Sequence, residues 1–201
     1  MLMDAWYIRR LPKDQLDLLA LPEMAFTGYC FDSCSDIEPF LEAPGAGPAF
    51  RWASTSPSLQ GYPLCCVRRS HSKASNSLLI VTPQGELFAT YRKHFLYETD
   101  ENWATEGKAF QTYVLPFPPS SSHRGQDFTI CPSICMDLNP KGFVAPFYAF
   151  ELATFARERT VDLVICTMNR LDSNQESLDS EGVLDQATDE SERPRVSDAF
   201  R

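Results

Sequence analysis

Residues 130–140 read Ile-Cys-Pro-Ser-Ile-Cys-Met-Asp-Leu-Asn-Pro. An apolar stretch stops at Cys135, and the turn-prone Asn139 and Pro140 follow. This pattern presents a thiol at the end of a buried strand, just before a helix, as chemistry that needs a thiolate on a rigid base requires. Two other segments supply the groups such a nucleophile would use: Glu23 and Lys93 each directly follow a predicted strand, and strand ends at one rim of a helix-flanked sheet are where sites collect. A cysteine is only slightly ionised at neutral pH and benefits from a partner base. A carboxylate such as Glu23 can take the thiol proton and later hand it to a leaving amine. A lysine ammonium beside a carbonyl oxygen stabilises the negative charge of a tetrahedral intermediate, and the backbone N–H of Met136, just after the thiol, can share that task. Plainer readings exist for each residue. A Glu after Leu-Pro suits a solvated turn, an Arg-Lys-His after a hairpin suits a solvated strand end, and a Cys in an apolar run suits an inert core. Composition and spacing leave both sets of readings open.

The elements that would position these groups are partly legible. Leu16–Ala20 is a short apolar run that reads as a strand, ended by Pro22, which cannot donate to a central ladder. Residues 27–29 read as a loop. Residues 32–63, rich in Pro, Ser, Gly and Ala, read as irregular apart from one helical turn at 38–41. Arg68 to Asn76 reads as a polar loop. Leu78–Thr82 and Leu87–Tyr91 are β-prone runs flanking Pro83-Gln84-Gly85-Glu86, which predicts a β-hairpin. Residues 114–127 read as a loop, and Phe128–Ile134 as a strand interrupted by Pro132. From Pro146 to Arg159, Tyr148, Leu152, Phe155 and Ala156 recur with helical spacing and predict an amphipathic helix. Val161–Thr167 is then a strand, so 128–167 forms a βαβ unit with a right-handed crossover.

At 201 residues the chain suits a single core with a tail. Its net charge of −9 comes from 18 basic and 27 acidic residues, which argues against nucleic-acid binding, since that needs a basic surface. Nine acids and three arginines fall within 171–201, a segment expected to be an acidic, disordered tail. The seven cysteines are an odd, scattered set, unlike a disulfide framework and suited to a reducing compartment. Cys30/Cys34 and Cys131/Cys135 lack supporting histidines, so no metal is expected. No apolar run approaches the ~20 residues of a membrane span, and the N-terminus has no signal-peptide core. The expectation is a cytoplasmic protein, with the nucleus as a second location, that needs no membrane.

Several stretches together resemble the carbon–nitrogen hydrolase (nitrilase) superfamily, and most closely its fungal branch of N-terminal asparagine and glutamine amidases. They are Leu-Asp-Leu-Leu-Ala-Leu-Pro-Glu-Met-Ala-Phe-Thr-Gly-Tyr (16–29), Ile-Glu-Pro-Phe-Leu-Glu (37–42), Gly-Pro-Ala-Phe-Arg-Trp-Ala (47–53) and Gly-Tyr-Pro (61–63). Further matches are Tyr-Arg-Lys-His-Phe-Leu-Tyr-Glu-Thr-Asp-Glu-Asn-Trp-Ala (91–104), Ile-Cys-Met-Asp-Leu-Asn-Pro (134–140) and Val-Asp-Leu-Val-Ile-Cys-Thr-Met (161–168). The resemblance implies an α/β fold, an α-β-β-α sandwich, with Cys135 as nucleophile, Glu23 as general base and Lys93 as oxyanion donor. It further implies a supporting acid, Glu106 or Glu101, and no cofactor. Asp137, two residues past the thiol, could face a substrate's α-amino group, or could be a helix N-terminal carboxylate satisfied by backbone N–H groups. The implied enzyme is an amidohydrolase acting on non-peptide carbon–nitrogen bonds. Its implied substrates are protein or peptide N-termini bearing Asn or Gln, within the N-degron pathway, and homodimers are common in the superfamily.

The chain departs from the family pattern in three places. Upstream of residue 16 a strand and much of a helix are missing. Ala53 to Gln60 stands where the family has a helix ending in an apolar strand. After residue 170 the acidic segment replaces several strands and helices. The expectation is therefore an incomplete hydrolase domain over 1–170 that lacks a central strand, followed by a tail over 171–201. Competing readings are a small-molecule amidase or nitrilase, and an inactive fragment serving as an interaction module.

Overall fold

The computed structural model describes residues 17–29, 31–55, 62–70, 73–119 and 121–169, with only the backbone described for 62–70 and Lys73. The expected tail, 171–201, lies outside the described residues, which all fall within one unit, Met1–Asn169.

Two sheets face each other. The first has the order β1-β2-β3-β4, from Leu18–Ala20 (β1), Tyr62–Ser70 (β2), Lys73–Val81 (β3) and Leu87–Arg92 (β4). β1 pairs with β2 in parallel, while β2, β3 and β4 are antiparallel. The second has the order β5-β6-β7, from Tyr113–Pro116, Asp127–Ile134 and Leu163–Thr167. β5 is antiparallel to β6, and β7 runs parallel to it.

The period of two along each strand sorts the layers. On β3, Leu78 and Ile80 turn inward and pack with Ile130, Ile134 and Ile165 of the second sheet. Their neighbours Leu79 and Val81 turn outward and pack with Phe50, Trp52 and Ala53 of the helix Pro48–Thr55. On β6, Cys131 turns outward toward Leu152 and Phe155 of the helix Glu151–Glu158. The order is helix, sheet, sheet, helix, as the resemblance implied.

Several expectations are corrected. The central strand expected to be missing is present: β2 lies between β1 and β3, and it begins directly after the undescribed residues 56–61. Of the polar loop expected at 68–76, residues 68–70 and 73–76 belong to the β2–β3 ladder, in which Arg68 pairs with Ser75 and Ser70 with Lys73, while 71 and 72 lie outside the described residues. Pairing decides a strand there, and the hydroxyls of Ser75 and Ser77 bond each other at 3.0 Å. The loop expected from 114 begins as β5. Pro132 does not interrupt β6, because the β5 side of the ladder has already ended at Ile130, and Pro132 lies opposite Ile165 of β7.

Residues 32–63 are less irregular than their composition suggests. They hold a helical turn, Cys34–Ile37 (α1), followed by a 3₁₀ turn at Glu38–Phe40 and then the helix Pro48–Thr55 (α2). Proline is favoured at the first helical position. The buried Glu42 carboxylate accepts the Ala49 N–H at 3.0 and 3.2 Å, so an acid seven residues away meets the helix N-terminus. The helix expected over 146–159 splits into a 3₁₀ turn, Phe147–Ala149, and the helix Glu151–Glu158, because Phe150 adopts left-handed dihedrals (φ 44°).

The loop after β4 is pinned by Gly107, whose N–H donates to the Lys93 carbonyl at 2.7 Å. A Cβ at Gly107 would collide with the backbone carbonyl oxygen of Arg92. Gly107→Ala is expected to lower stability by about 1–3 kcal/mol, read as a lower urea midpoint at an unchanged slope. An unaltered midpoint would contradict this close approach.

Candidate active site

Glu23 opens the turn 23–27 that follows β1, where Met24 takes left-handed dihedrals (φ 52°). Lys93 is the first residue beyond β4, and Cys135 the first beyond β6. The fold brings the three together. Lys93 Nζ donates to Glu23 Oε1 at 2.8 Å, and the Glu23 carboxylate lies near enough to the Cys135 thiol to push its pKa up. Glu23 and Lys93 are fully buried, while Cys135 remains half-buried.

The supporting acid is corrected. Lys93 Nζ donates its second bond to Asp100 Oδ2 at 2.6 Å, not to Glu106 or Glu101. Asp100 is buried on the single helical turn Glu98–Glu101 (α3) and also accepts the Tyr97 N–H at 3.1 Å. Glu101, on the same turn, is exposed. Glu106 pairs with Lys141 at 3.1 Å, with both side chains about half exposed. Sequence reasoning passed over Asp100 because it looked for a glutamate. The available signal was position: an acid seven residues past Lys93, within one helical turn, can fold back onto it.

Asp137 is the second correction. It lies fully buried and faces protein rather than a substrate's amino group. Oδ1 accepts the N–H groups of His94 and Phe95 at 2.9 and 2.7 Å. Oδ2 accepts the Tyr91 hydroxyl at 2.7 Å and the Ile134 N–H at 2.9 Å. This carboxylate therefore ties the 3₁₀ turn Cys135–Leu138 to the two residues after Lys93. Burial pushes its pKa up, against the pull of these donors. Met136, the candidate oxyanion N–H, sits buried in the same turn. Cys135 itself takes φ 44°, an uncommon value for a residue with a side chain, of the kind that clusters at functional sites.

The charges set the protonation states. Burial would lower the Lys93 pKa, but Glu23 and Asp100 outweigh it and hold the ammonium charged well above the usual lysine range. Burial, then the Glu23 charge, push the Cys135 thiol up to about 12, with Lys93 opposing. Burial also raises the pKa of Cys166. Sequence reasoning missed one more polar side chain, the fully buried Asn76 on β3. Its Nδ2 donates to Glu23 Oε1 at 2.7 Å and approaches Asp100 Oδ1 at 3.5 Å.

No family model matches the chain. Among characterised proteins it is similar to the protein N-terminal amidase of Saccharomyces cerevisiae, at 36% identity over 187 residues, covering 85% of this chain and 41% of that protein. It is also similar to that of Schizosaccharomyces pombe, at 39% over 146 residues, covering 69% and 48%. The chain thus spans less than half the length of these relatives. Crystal structures of N-terminal amidase with an Asn-Glu and a Gln-Val peptide superpose with a TM-score of 0.73, at 34% and 33% identity. They cover 78% and 82% of this chain, and 39% and 42% of theirs. A CN-hydrolase superfamily protein from Xanthomonas campestris shares the fold at a TM-score of 0.56 and 21% identity, covering 81% of this chain and 56% of its own. These matches correct the expected enzyme class, an amidohydrolase acting on non-peptide carbon–nitrogen bonds. The relatives are named for protein N-termini, and a crystal structure of N-terminal amidase holds a peptide, so the correction falls on the class of substrate, which is a peptide in these proteins.

Two substitutions separate the buried acid from the surface one. Asp137→Asn puts an amide where four donors converge and is expected to cost at least about 3 kcal/mol. Glu106→Gln, in a half-exposed pair, is expected to change stability by less than about 0.5 kcal/mol. Chemical denaturation checks both, and equal effects would contradict the assignment.

Proposed function

We propose, for a chain that is homologous to the fungal protein N-terminal amidases of the carbon–nitrogen hydrolase superfamily over less than half of their length, that it hydrolyses the side-chain carboxamide of an N-terminal Asn or Gln. The observation that carries the reading is the meeting of a thiol, a carboxylate and a doubly paired ammonium from three distant strand ends. The peptides bound to the related structures support the substrate class. A small-molecule amidase has no comparable support.

With its pKa near 12, Cys135 holds its proton at neutral pH, so attack requires a base in contact. Sγ adds to the carboxamide carbon as its proton passes to Glu23. The C=O electron pair moves onto oxygen, and the oxyanion is held by the Lys93 ammonium and the Met136 N–H. When the tetrahedral adduct collapses, the C–N bond breaks, Glu23 returns the proton to nitrogen, and ammonia leaves a thioester on Cys135. Water then adds to the thioester while Glu23 takes its proton. The second adduct expels the sulfur, which regains that proton, and the product carries Asp or Glu at its N-terminus. Asp100, in place of the expected Glu106 or Glu101, keeps Lys93 charged and aimed. Asp137 acts as a positioning residue for the nucleophile turn.

Neither a metal nor an organic cofactor enters these steps. All the reacting groups come from one chain, so a second copy is not required. We assign 1–170 to the hydrolase domain and 171–201 to an acidic segment. A nucleophilic thiol calls for a reducing compartment, the cytoplasm or nucleus. Among the described residues no helix is long and apolar enough to cross a membrane.

Cys135→Ala is expected to abolish ammonia release from an Asn-led peptide, and Glu23→Gln to lower it by about 10²-fold or more. Full release by the Cys135 variant would refute the nucleophile. Iodoacetamide labelling of Cys135 tests the electrostatics separately. A thiol whose pKa is raised becomes reactive only as pH climbs, so labelling should keep rising past pH 10. Glu23→Gln removes an anion that opposes the thiolate, so the profile should slide to lower pH. A wild-type plateau near the ordinary thiol pKa of about 8.5 would contradict the burial and charge assigned to this sulfur.

A further inference from the structure

We propose that Asn76 is a positioning residue for the general base, fixing which oxygen of Glu23 works on the thiol. This rests on the mechanism above and extends it to a residue from the middle of a strand. On β3 the even positions Ala74, Leu78 and Ile80 belong to the core between the sheets. Asn76 shares their face and is the one polar side chain in that row. An amide there costs desolvation unless it is paired. Pairing is incomplete, because Oδ1 has no hydrogen-bond partner among the described residues. An apolar side chain would fill the row without that penalty, so packing alone does not account for an asparagine.

Its amide nitrogen is placed for a specific task. Glu23 Oε1 accepts from Asn76 Nδ2 at 2.7 Å and from Lys93 Nζ at 2.8 Å. Two donors occupy this oxygen, while among the described residues Oε2 receives only the Asn169 N–H, at 3.3 Å. Oε2 is therefore the oxygen free to exchange a proton with Cys135, the substrate nitrogen and water. The backbone of Asn76 ties the other charge, since its carbonyl accepts the Lys93 N–H at 2.9 Å. One residue thus sets the spacing of base and ammonium. When Lys93 turns its charge toward a developing oxyanion, Asn76 keeps Glu23 from rotating about its own stem. A neutral donor suits this place, because a second cation would compete with Lys93 for both carboxylates.

The test uses the full chain, with an Asn-led peptide as substrate and Asn76→Leu and Asn76→Ser as variants. Both should keep their melting temperature within a few degrees, Leu because it continues the apolar row. Both should lower kcat on the order of 10–100-fold, with KM within about twofold, since Asn76 acts through Glu23 and does not touch substrate. A folded Leu variant with full kcat, or a loss that appears in KM alone, would overturn the assignment. If the Leu variant does not fold, the Ser variant decides by the same split. The controls are Cys135→Ala and Glu23→Gln. Wild-type ammonia release that ignores both controls refutes the mechanism itself. Dependence on both, with indifference to position 76, refutes only the role of Asn76. A wild-type chain that releases no ammonia overturns the mechanism and this extension together.

Discussion

The arrangement depends on one buried ammonium shared between two buried carboxylates. Taking each of these ions out of water costs several kcal/mol, and their attraction offsets that only when the geometry is good. Lys93 meets Glu23 at 2.8 Å and Asp100 at 2.6 Å with almost no solvent access. Removing Lys93 would leave two buried carboxylates without a counter-ion, whereas removing either acid would leave the ammonium paired with the other. The members of this cluster come from the turn after β1, the exit of β4 and the short helix α3, and Asn76 adds the middle of β3. The cluster therefore spans the width of the first sheet and exists only once that sheet has formed.

The second sheet delivers the sulfur to this charge cluster. The parallel β6–β7 ladder carries Ile134 opposite Thr167, and the chain turns sharply at Cys135. The Asp137 carboxylate then joins that turn to the loop leaving β4. It locks the thiol-bearing sheet to the ammonium-bearing sheet, where the two inner faces already pack through Leu78, Ile80, Ile130 and Ile134. Burial makes the thiol a poor acid, so reactivity depends on the neighbouring carboxylate rather than on spontaneous ionisation.

Much of this was legible in the sequence where the signal is local. Glu23, Lys93 and Cys135 each stand one to three residues past a strand, and that spacing carried over to the structure. The hairpin around Pro83 to Glu86 was legible for the same reason. What was lost depends on partners distant in the chain. Asp137 looked like a substrate contact because it lies two residues past the thiol, yet three of its four donors sit more than 40 residues away. The helix at Pro48 meets an acid seven residues upstream, outside any capping pattern. Residues 68–70 and 73–76 look too polar for strands, yet pairing between β2 and β3 overrides composition. Asn76 looked like loop for that reason, and Asp100 was overlooked because the supporting acid was sought only among glutamates.

The thioester is the species that requires the thiol, base and ammonium to act together, and trapping it is the most direct test. The full chain is mixed with an Asn-led peptide, quenched in acid within milliseconds to seconds, digested, and mapped by mass spectrometry. The account predicts an adduct equal to the substrate minus ammonia, on the fragment that carries Cys135 and on no other cysteine. Ammonia release with no adduct at Cys135, or with one at Cys166 instead, would contradict it.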